Sequence, residues 1–518
     1  VALESMKPKM LSYIDRLLEK VTMYRLLIYY LGGLLVAAFG LSLFGDLKYK
    51  PLYILISTVI LVLGCYLINK IFAQFFTAPV NPESSIITGL ILSLIITPDP
   101  TGFGITFLLA AAGLAIASKY ILSVRMKHIF NPAAIAVVLT AQGPHQSASW
   151  WVGTAVLLPF VLIGGLLVVR KIHRTKMVLG FFISSFLATI LYSLIGKTGV
   201  MTGLHNLIFS SAMFFLGFVM LTEPLTSPTT TKKQAWYGIL VGILLPPQAH
   251  LFSYYFSPES ALIVGNLFAY IISPKTKLFP TILQKIRIAA SSAEFVFNPN
   301  QKLAYQPGQF MEWTLPHSDT DSRGSRRYFT IASSPTEEDI RIGIKFFDKG
   351  SSFKDALLDI DQNSQIVASQ ISGNFIMPKD KSKKLVFIAG GIGITPYRSM
   401  IKYLIDKNQK RDVILLYSVT NDKEISYKKI FEQARESLGI KTIYTVTDDD
   451  AVASESNTRK GFINAEFIKR EVPDYQDRIF YISGTQGMVS ALYKALISLG
   501  VSRKQIKTDY FPGYTPKK

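Results

Sequence analysis

The stretch Leu385–Val386–Phe387–Ile388–Ala389–Gly390–Gly391–Ile392–Gly393–Ile394–Thr395–Pro396 reads as an apolar strand, a glycine turn and the start of a helix. An unbroken apolar run suits a strand buried on both faces, as parallel sheets require. Glycines let the backbone approach a ligand closely, and the free N–H groups of a helix start face an anion such as pyrophosphate. Gly390, Gly391, Gly393, Thr395 and Pro396 are therefore candidate cofactor-binding residues. Alone, a glycine turn is weak evidence; its surroundings decide what it means.

Downstream, strands alternate with helices: Val413–Tyr417, a helix through Phe431, Lys441–Val446, Ile479–Ser483 and a helix after Met488. That pattern predicts a parallel α/β Rossmann-like domain over 381–518, with ligands at the carboxyl ends of its strands. Upstream, the period is two: Ile282, Ile286 and Ile288, then Phe295–Phe297, Gln309–Trp313, Arg327–Thr330 and Ile340–Phe347. Short alternating strands punctuated by Pro and Gly predict an antiparallel β-barrel domain over 276–380.

Before residue 276 the character changes. The chain has 518 residues, 49% hydrophobic and 17% charged, with a mean hydropathy of +0.31. Residues 1–275 carry 8 acids and 19 bases, whereas residues 276–518 carry 27 and 36. A membrane half thus precedes a soluble-like half, which excludes both disorder and a purely soluble enzyme. Both halves are net basic, but no basic helix or aromatic-basic cluster accompanies the charge. It fits a lipid bilayer with anionic headgroups, and no nucleic acid. Cys65 is the single cysteine, so the chain alone builds no disulfide and no cysteine-ligated zinc or iron–sulfur centre. No metal site is expected.

Apolar runs at 23–44, 52–76, 85–97, 103–123, 129–141, 152–169, 178–195, 206–222, 235–248 and 260–273 predict an α-helical membrane domain over 23–274, after a cytoplasmic segment 1–22 that is no cleavable signal. Lys119, Arg125, Lys127, Arg170, Lys171, Arg174, Lys176, Lys232, Lys233 and Lys275 fall on the side of the N-terminus, against Lys48, Lys50 and Lys197 opposite. The bias puts the N-terminus and everything after Lys275 in the cytoplasm, in a multi-pass protein of the plasma membrane. An offset of 126 superposes Ser84, Ser85, Pro98, Phe130 and Pro132 on Ser210, Ser211, Pro224, Phe256 and Pro258. Five segments per unit make the repeat inverted, and its Pro-ended short segments mark broken helices. Asp99 and Glu223 stand at those breaks as candidate ion-coupling residues, or as acids of wet interfacial loops. Trp150 and Trp151 are expected as interfacial anchors.

Three ordered stretches carry a resemblance: Ser84–Ser85–Ile86–Ile87–Thr88–Gly89–Leu90, His128–Ile129–Phe130–Asn131–Pro132–Ala133–Ala134 and Thr222–Glu223–Pro224–Leu225–Thr226–Ser227–Pro228. Residues 23–274 resemble the family that comprises the RnfD membrane component of the Rnf electron-transport complex and the corresponding membrane component of the sodium-translocating NADH:quinone reductase. The resemblance implies ten helices, flavin in the membrane domain, and transmembrane electron flow linked to ion movement. Members attach FMN to a Thr in a Ser/Gly-Ala-Thr loop before the sixth helix. That loop, 141–151, has no Thr in such a motif, so non-covalent FMN or riboflavin is what remains implied.

The soluble half resembles the ferredoxin–NADP reductase family throughout 276–518. Beside the glycine turn it carries Tyr305–Gln306–Pro307–Gly308–Gln309–Phe310, Arg326–Arg327–Tyr328–Phe329–Thr330–Ile331–Ala332–Ser333–Ser334–Pro335, Gly350–Ser351–Ser352–Phe353 and Tyr481–Ile482–Ser483–Gly484–Thr485–Gln486–Gly487–Met488. The resemblance implies FAD and a nicotinamide cofactor. Arg327 would fork onto the FAD pyrophosphate, Phe329 cover the isoalloxazine, and Thr330 hydrogen-bond near its reactive nitrogen. Gly350, Ser351 and Ser352 would give a second phosphate contact; Gly484 and Met488 would line the dinucleotide site. Ser483 stands where the family commonly has Cys beside the nicotinamide, and Phe511 is the expected aromatic cover. Thr330, Ser483 and Phe511 are the candidate catalytic residues. Ser418–Asp422 offers no Arg for a 2′-phosphate and Asp422 would repel one, favouring NADH over NADPH.

The halves together predict a membrane NAD(P)H oxidoreductase passing electrons from NADH through FAD into the membrane domain, then to a quinone or an extracytoplasmic acceptor. Additional electron-transport subunits and Na⁺ or H⁺ coupling are compatible with it. Two alternatives stay open: a redox-regulated membrane transporter, and a reductase merely anchored by helices.

Overall fold

The computed structural model describes residues 21–511 apart from 77–81, 125–126, 143–146, 274–276, 318–319, 322–323, 348–349 and 449–456, together with 14, 17 and 18. Most of segment 1–22, Arg125, His145, Lys275 and the tail after Phe511 lie outside the described residues, as do the side chains of Lys277, Gln370, Tyr510 and Phe511. Two compact units divide at Lys277/Leu278.

The first unit is helical: α1 (Met23–Leu43), α2 (Pro51–Phe75), α3 (Pro82–Ile95), α4 (Phe103–Ile121), α5 (Pro132–Gln142), α6 (Leu158–Ile172), α7 (Thr175–Ile195), α8 (Val200–Phe209), α9 (Met213–Met220), α10 (Thr231–Leu244) and α11 (Pro258–Ile272). By length and composition α1, α2, α4 and α7 can each cross a bilayer. The run expected as one segment over 206–222 is instead a pair, α8 and α9, bent by 56°. Ser210 and Ser211 sit at the break, where the Ser211 hydroxyl donates back to Leu207 O (2.5 Å) and accepts from Met213 N (3.1 Å). The last turn of α9 is a π-helix over Leu216–Met220. Helices pack through small residues: a Cβ at Gly238 or Gly242 of α10 would overlap the backbone of Met177 or Phe181 in α7.

Irregular backbone in this unit is satisfied by protein groups, as a lipid surrounding demands. The carbonyl end of α3 receives Ser149 N and Trp150 N on Ile95 O (2.9 and 3.0 Å) and the Trp151 indole on Ser93 O and Ile96 O (3.0 and 2.9 Å). The Trp150 indole donates to Glu259 Oε2 (2.9 Å). Trp151, 3% exposed, is thus buried against the carbonyl end of α3 and is not the expected interfacial anchor, whereas Trp150 is half-buried with its indole on Glu259. Two-residue antiparallel ladders, Ser123–Val124 with Lys127–His128 and His250–Leu251 with Tyr254–Tyr255, precede the helices that begin at Pro132 and Pro258.

The second unit opens with strands β1 (Thr281–Ala289), β2 (Ser292–Asn298), β3 (Phe310–Thr314), β4 (Arg326–Thr330), β5 (Ile340–Lys345) and β6 (Val367–Ser372), with α12 (Ser352–Asp359) before β6. They form antiparallel sheets in the orders β5-β2-β1 and β6-β3-β4. Trp313, Phe295, Phe297 and Phe353 fill the interior between them.

A six-stranded parallel sheet follows, built from β7 (Leu385–Gly390), β8 (Val413–Val419), β9 (Lys441–Val446), β10 (Thr458–Lys460), β11 (Ile479–Thr485) and β12 (Ile506–Phe511) in the order β10-β9-β8-β7-β11-β12. Helices α13 (Thr395–Asp406), α14 (Lys428–Leu438), α15 (Ala465–Glu471) and α16 (Gln486–Ser498) cover its faces. Sequence neighbours diverge to either side of β7, which makes the β7/β11 boundary the topological switch point.

An ion cluster pins the opposite edge of that boundary. Arg478 donates to both Asp474 Oδ1 (2.6 Å) and Asp412 Oδ1 (2.7 Å), and Lys384 Nζ to Asp474 Oδ2 (2.8 Å). The Arg478 hydrogen bond outweighs burial and, with Lys384, pulls the Asp474 carboxyl from an ordinary 3.8 to about 2. A depressed carboxyl stabilises the fold above its unfolded value and ceases to do so as pH falls through the folded one. Asp474→Asn should thus cost about 1 kcal/mol at pH 7, screening included. In thermal melts of the full chain, the gap from wild type should close between pH 4 and pH 2.

Candidate functional site

The switch point places most of the glycine-turn residues in one small floor. Gly391 has φ +52°, a conformation that glycine adopts without strain. A Cβ on Gly390 would overlap Met488 Sδ. One on Gly393 would lie 2.5 Å from Ser483 O and 2.8 Å from Gly484 N, and one on Gly484 would lie 3.1 Å from Met488 Sδ. Thr395 and Pro396 open α13, with the Thr395 hydroxyl donating to Ile392 O at 3.2 Å. Gly390, Gly393, Ser483, Gly484 and Met488 therefore meet across the carboxyl ends of β7 and β11. The Ser483 hydroxyl is fully buried and has no hydrogen-bond partner among the described residues. An orphaned buried hydroxyl costs stability, and a ligand that reaches it removes the cost.

A second cluster forms on the barrel. Arg327 on β4 extends its guanidinium along the start of α12, donating through Nη2 to Asp321 (2.9 Å to each oxygen) and to Ser351 Oγ (3.1 Å). Nη1 donates to Gly324 O (2.8 Å) and Arg326 O (2.7 Å), and the group lies over the Phe353 ring at 5.4 Å. Ser351 is the N-cap of α12, and the Ser352 hydroxyl donates toward the His317 ring (2.9 Å) while accepting from Asp321 N. A Cβ on Gly350 would be 2.7 Å from Asp355 Oδ1. Phe329 packs on Phe353 with ring centres 5.8 Å apart, and Thr330 closes the strand, 4% exposed. Guanidinium, serine hydroxyl and helix start together suit a phosphate group. Phe511 ends β12 beside Thr485, but its side chain lies outside what is described.

Both clusters belong to the second unit, and a third group of contacts joins their domains. Glu424 accepts from Ser291 Oγ (2.6 Å) and Lys345 Nζ (3.0 Å). Burial would raise that carboxyl, yet these donors hold it below the ordinary range.

In the helical unit the two candidate acids have unlike surroundings. Asp99 accepts from Thr101 N (3.1 Å) and Thr101 Oγ1 (2.5 Å), a local turn ahead of α4. Glu223 accepts from Asn131 Nδ2 (2.8 Å) and Thr226 Oγ1 (3.2 Å) and meets His128 Nε2 at 3.2 Å. Asn266 extends this network, accepting from Asn131 N (2.8 Å) and bonding the Tyr237 hydroxyl (3.0 Å). An open cleft is lined from all three family-like stretches, among them Ser84, Thr88, Asn131, Thr222 and Glu223. Sequence reasoning missed Glu259, which is 4% exposed and paired to Trp150. Only its place two residues after the N-cap Ser257 of α11 could have signalled it.

A family model described as the NQR2, RnfD, RnfE family matches residues 151–247, and one described as an oxidoreductase NAD-binding domain matches residues 387–494. Curated relatives include a flavohemoprotein of Bacillus cereus, 24% identical over 242 residues, covering 44% of this chain and 60% of the relative. Another is the glycine betaine monooxygenase reductase component of Pseudomonas aeruginosa, 24% identical over 225 residues, covering 43% of this chain and 60% of the relative. The chain thus spans about three-fifths of the length of these relatives. Similar solved structures include the FAD/NAD binding domain of nitric oxide dioxygenase from Vibrio cholerae (21% identity, 45% of this chain, 98% of that one, TM-score 0.41) and the ferredoxin-NADP+ reductase of Plasmodium falciparum (19%, 46%, 97%, TM-score 0.38).

The second unit carries an oxidoreductase NAD-binding domain over residues 387–494 and is similar to reductases of the ferredoxin–NADP reductase type. In this chain it follows a unit of several apolar helices that carries NQR2, RnfD, RnfE family sequence. Gly393→Ala tests the floor. Its methyl would press on the Ser483 backbone, which cannot swing aside, so affinity for dinucleotide should fall about tenfold or more. Equilibrium titration of the purified chain with NAD⁺, which does not reduce the flavin, reads that loss, while the content of FAD should stay at the wild-type level.

Proposed function

We propose that this chain is a membrane NAD(P)H oxidoreductase that takes reducing equivalents from NADH and delivers them through its helical unit to a quinone or an extracytoplasmic acceptor. The observation that carries this reading is the pair of clusters within the second unit. A guanidinium and a serine hydroxyl at the start of α12, Arg327 and Ser351, and a side-chain-free floor at Gly390, Gly393 and Gly484 suit one dinucleotide each. FAD, when bound, converts a two-electron hydride into single electrons. Arg327, Gly350, Ser351 and Ser352 would hold its pyrophosphate, and Phe329 and Thr330 would cover and hydrogen-bond its ring. The glycine turn with Thr395 and Pro396 would hold the nicotinamide dinucleotide. Ser483 would offer its free hydroxyl to the carboxamide side, Met488 would wall the site, and Phe511 would cover the ring. The stretch Ser418–Asp422, which has no Arg and ends on Asp422, supports NADH over NADPH.

For the helical unit the proposal is a ten-segment body over 23–274 made of two inverted repeats, followed by domains at 276–380 and 381–518. The matched ladders before Pro132 and Pro258 and the matched breaks at Pro98 and Pro224 support it. The positive-inside bias supports a plasma-membrane location with residues 1–22 and the reductase on the cytoplasmic side. The resemblance of the three stretches that line the cleft to the flavin-carrying family supports a non-covalent FMN or riboflavin in the helical unit. Between the candidate coupling acids, Glu223 has the better case for Na⁺ or H⁺, since it is half-buried at the cleft and its network joins several helices, whereas Asp99 serves its own turn. Further electron-transport subunits would be partners.

Flavin extraction from the purified chain tests this circuit. One FAD per chain plus additional FMN or riboflavin is expected, with NADH consumed in preference to NADPH and a quinone or far-side oxidant reduced in proteoliposomes. One FAD and no second flavin, with NADH oxidation untouched by deletion of 1–275, would leave the helices as a mere anchor. Solute uptake without quinone reduction would favour a redox-regulated transporter.

A further inference from the structure

The segment that follows Thr330 is gripped by the helix that follows the glycine turn. Arg398, in the first turn of α13 and 4% exposed, donates through Nη2 to Glu337 Oε1 (2.9 Å), through Nη1 to Glu337 Oε2, and through Nη1 to Ala332 O (3.1 Å). The next residue, Ser399, donates to Ser333 O at 2.6 Å. Glu337 returns to the same segment by accepting from Ser334 N (2.6 Å), and Tyr305 fixes it from the barrel side through Ser333 (3.1 Å). Further along α13, Asp406 accepts from Thr336 Oγ1 at 2.5 Å. Residues 332–337 are thus tied to α13 at four points.

The cluster is ionic and largely buried. Arg398 also approaches Glu294 (4.0 Å), 3% exposed on β2, which pairs with Arg341 on β5 at 2.8 Å. Two carboxylates and two guanidiniums therefore meet at the seam between barrel and parallel sheet, with the Arg398 guanidinium over the Tyr427 ring at 5.8 Å. Beside them the barrel comes against the glycine turn itself: a Cβ on Gly343 of β5 would lie 2.8 Å from Thr395 Cγ2 and 3.4 Å from Ile392 Cδ1. Buried ion pairs add little net stability over well-packed apolar groups, but they allow only one geometry. The guanidinium fork on a carboxylate fixes angle as well as distance.

We propose that Arg398 and Glu337 form a clamp that sets the separation and angle between the hydride donor at the glycine turn and the acceptor beside Thr330. Arg398 is a positioning residue: 4% exposed and engaged with Glu337 and Ala332, it acts through the 332–337 segment and the start of α13. This rests on the reductase reading of the second unit. The reaction gains no step; hydride with its electron pair passes from NADH to FAD, and the clamp governs only how close the two approach. A displacement of about 1 Å away from chemistry can slow a reaction about a hundredfold.

The test compares wild type, Arg398→Lys, and the double variant Arg398→Met/Glu337→Met, each as the full chain with its flavin retained. The double variant removes both charges and keeps volume, so the fold survives by packing. Anaerobic stopped-flow with NADH should show the limiting rate of flavin reduction falling about tenfold or more, with NADH affinity within about twofold and FAD content unchanged. Arg398→Lys, which keeps the charge but loses the fork, should fall between. Hydrogen exchange without NADH supplies a second readout: amides 332–337 and 391–394 should lose protection together in the double variant. A double variant that reduces its flavin at the wild-type rate, or exchange that rises at 332–337 alone, overturns the clamp. If the double variant fails to fold, Arg398→Lys decides, and an unchanged limiting rate there overturns it equally. A wild-type chain that does not reduce its flavin with NADH removes the reductase reading and the clamp with it.

Discussion

Close backbone approach at the carboxyl ends of β7 and β11 is the constraint on which the reductase half depends. Adjacent parallel strands must send their connections to opposite faces before a crevice opens between them. Here the crevice is so narrow that Gly393 rests against the Ser483 carbonyl. A side chain at that position would separate the strands or fill the crevice. The same absence of Cβ at Gly390 gives Met488 its seat, so the wall of the site is built from what the glycines leave out.

The helical half obeys a different demand, that no backbone group be left to hydrocarbon. Breaking α3 at Ile95 exposes carbonyls, and the loop 149–151 returns to cover them with two amides and an indole. On the other break, Glu223 gathers Asn131, Thr226 and His128, drawing the second and third family-like stretches into one network. Ordinary helix ends need no such crossing contacts. Both Pro-ended segments are instead tied down by residues remote in sequence.

Much of this was legible in the chain because it depends on local pattern. Period-two runs located the barrel strands, and the strand from Leu385 and the helix from Pro396 differ from the observed elements by a residue at one end. Three strands escaped notice: β6, whose polar Ser369 and Gln370 break the alternation, the three-residue β10, and β12, with Lys507 and Asp509 among its few apolar residues. The bend between α8 and α9 was hidden because Ser210 and Ser211 are too few to end an apolar run, and composition does not register where a helix turns. Glu259, Arg398 and Glu337 were invisible for another reason. Glu259 pairs with Trp150, while Arg398 holds Ala332 and Glu337, all more than sixty residues away, and nothing in a single residue's neighbours predicts a contact of that span.

That difference separates what binds from what aligns. Phosphate recognition needs a few N–H groups, a guanidinium and no obstructing Cβ, all of which a short motif supplies. Aligning two rings needs two domains to stand in one relation, and no short motif specifies it. Packing alone would permit sliding, because apolar contacts have little angular preference. The seam instead carries Glu294, Glu337, Arg341 and Arg398, charges whose burial is costly unless every partner is in place. A cost of that kind is tolerable where a small misalignment would cost more, and between a hydride donor and its acceptor it would.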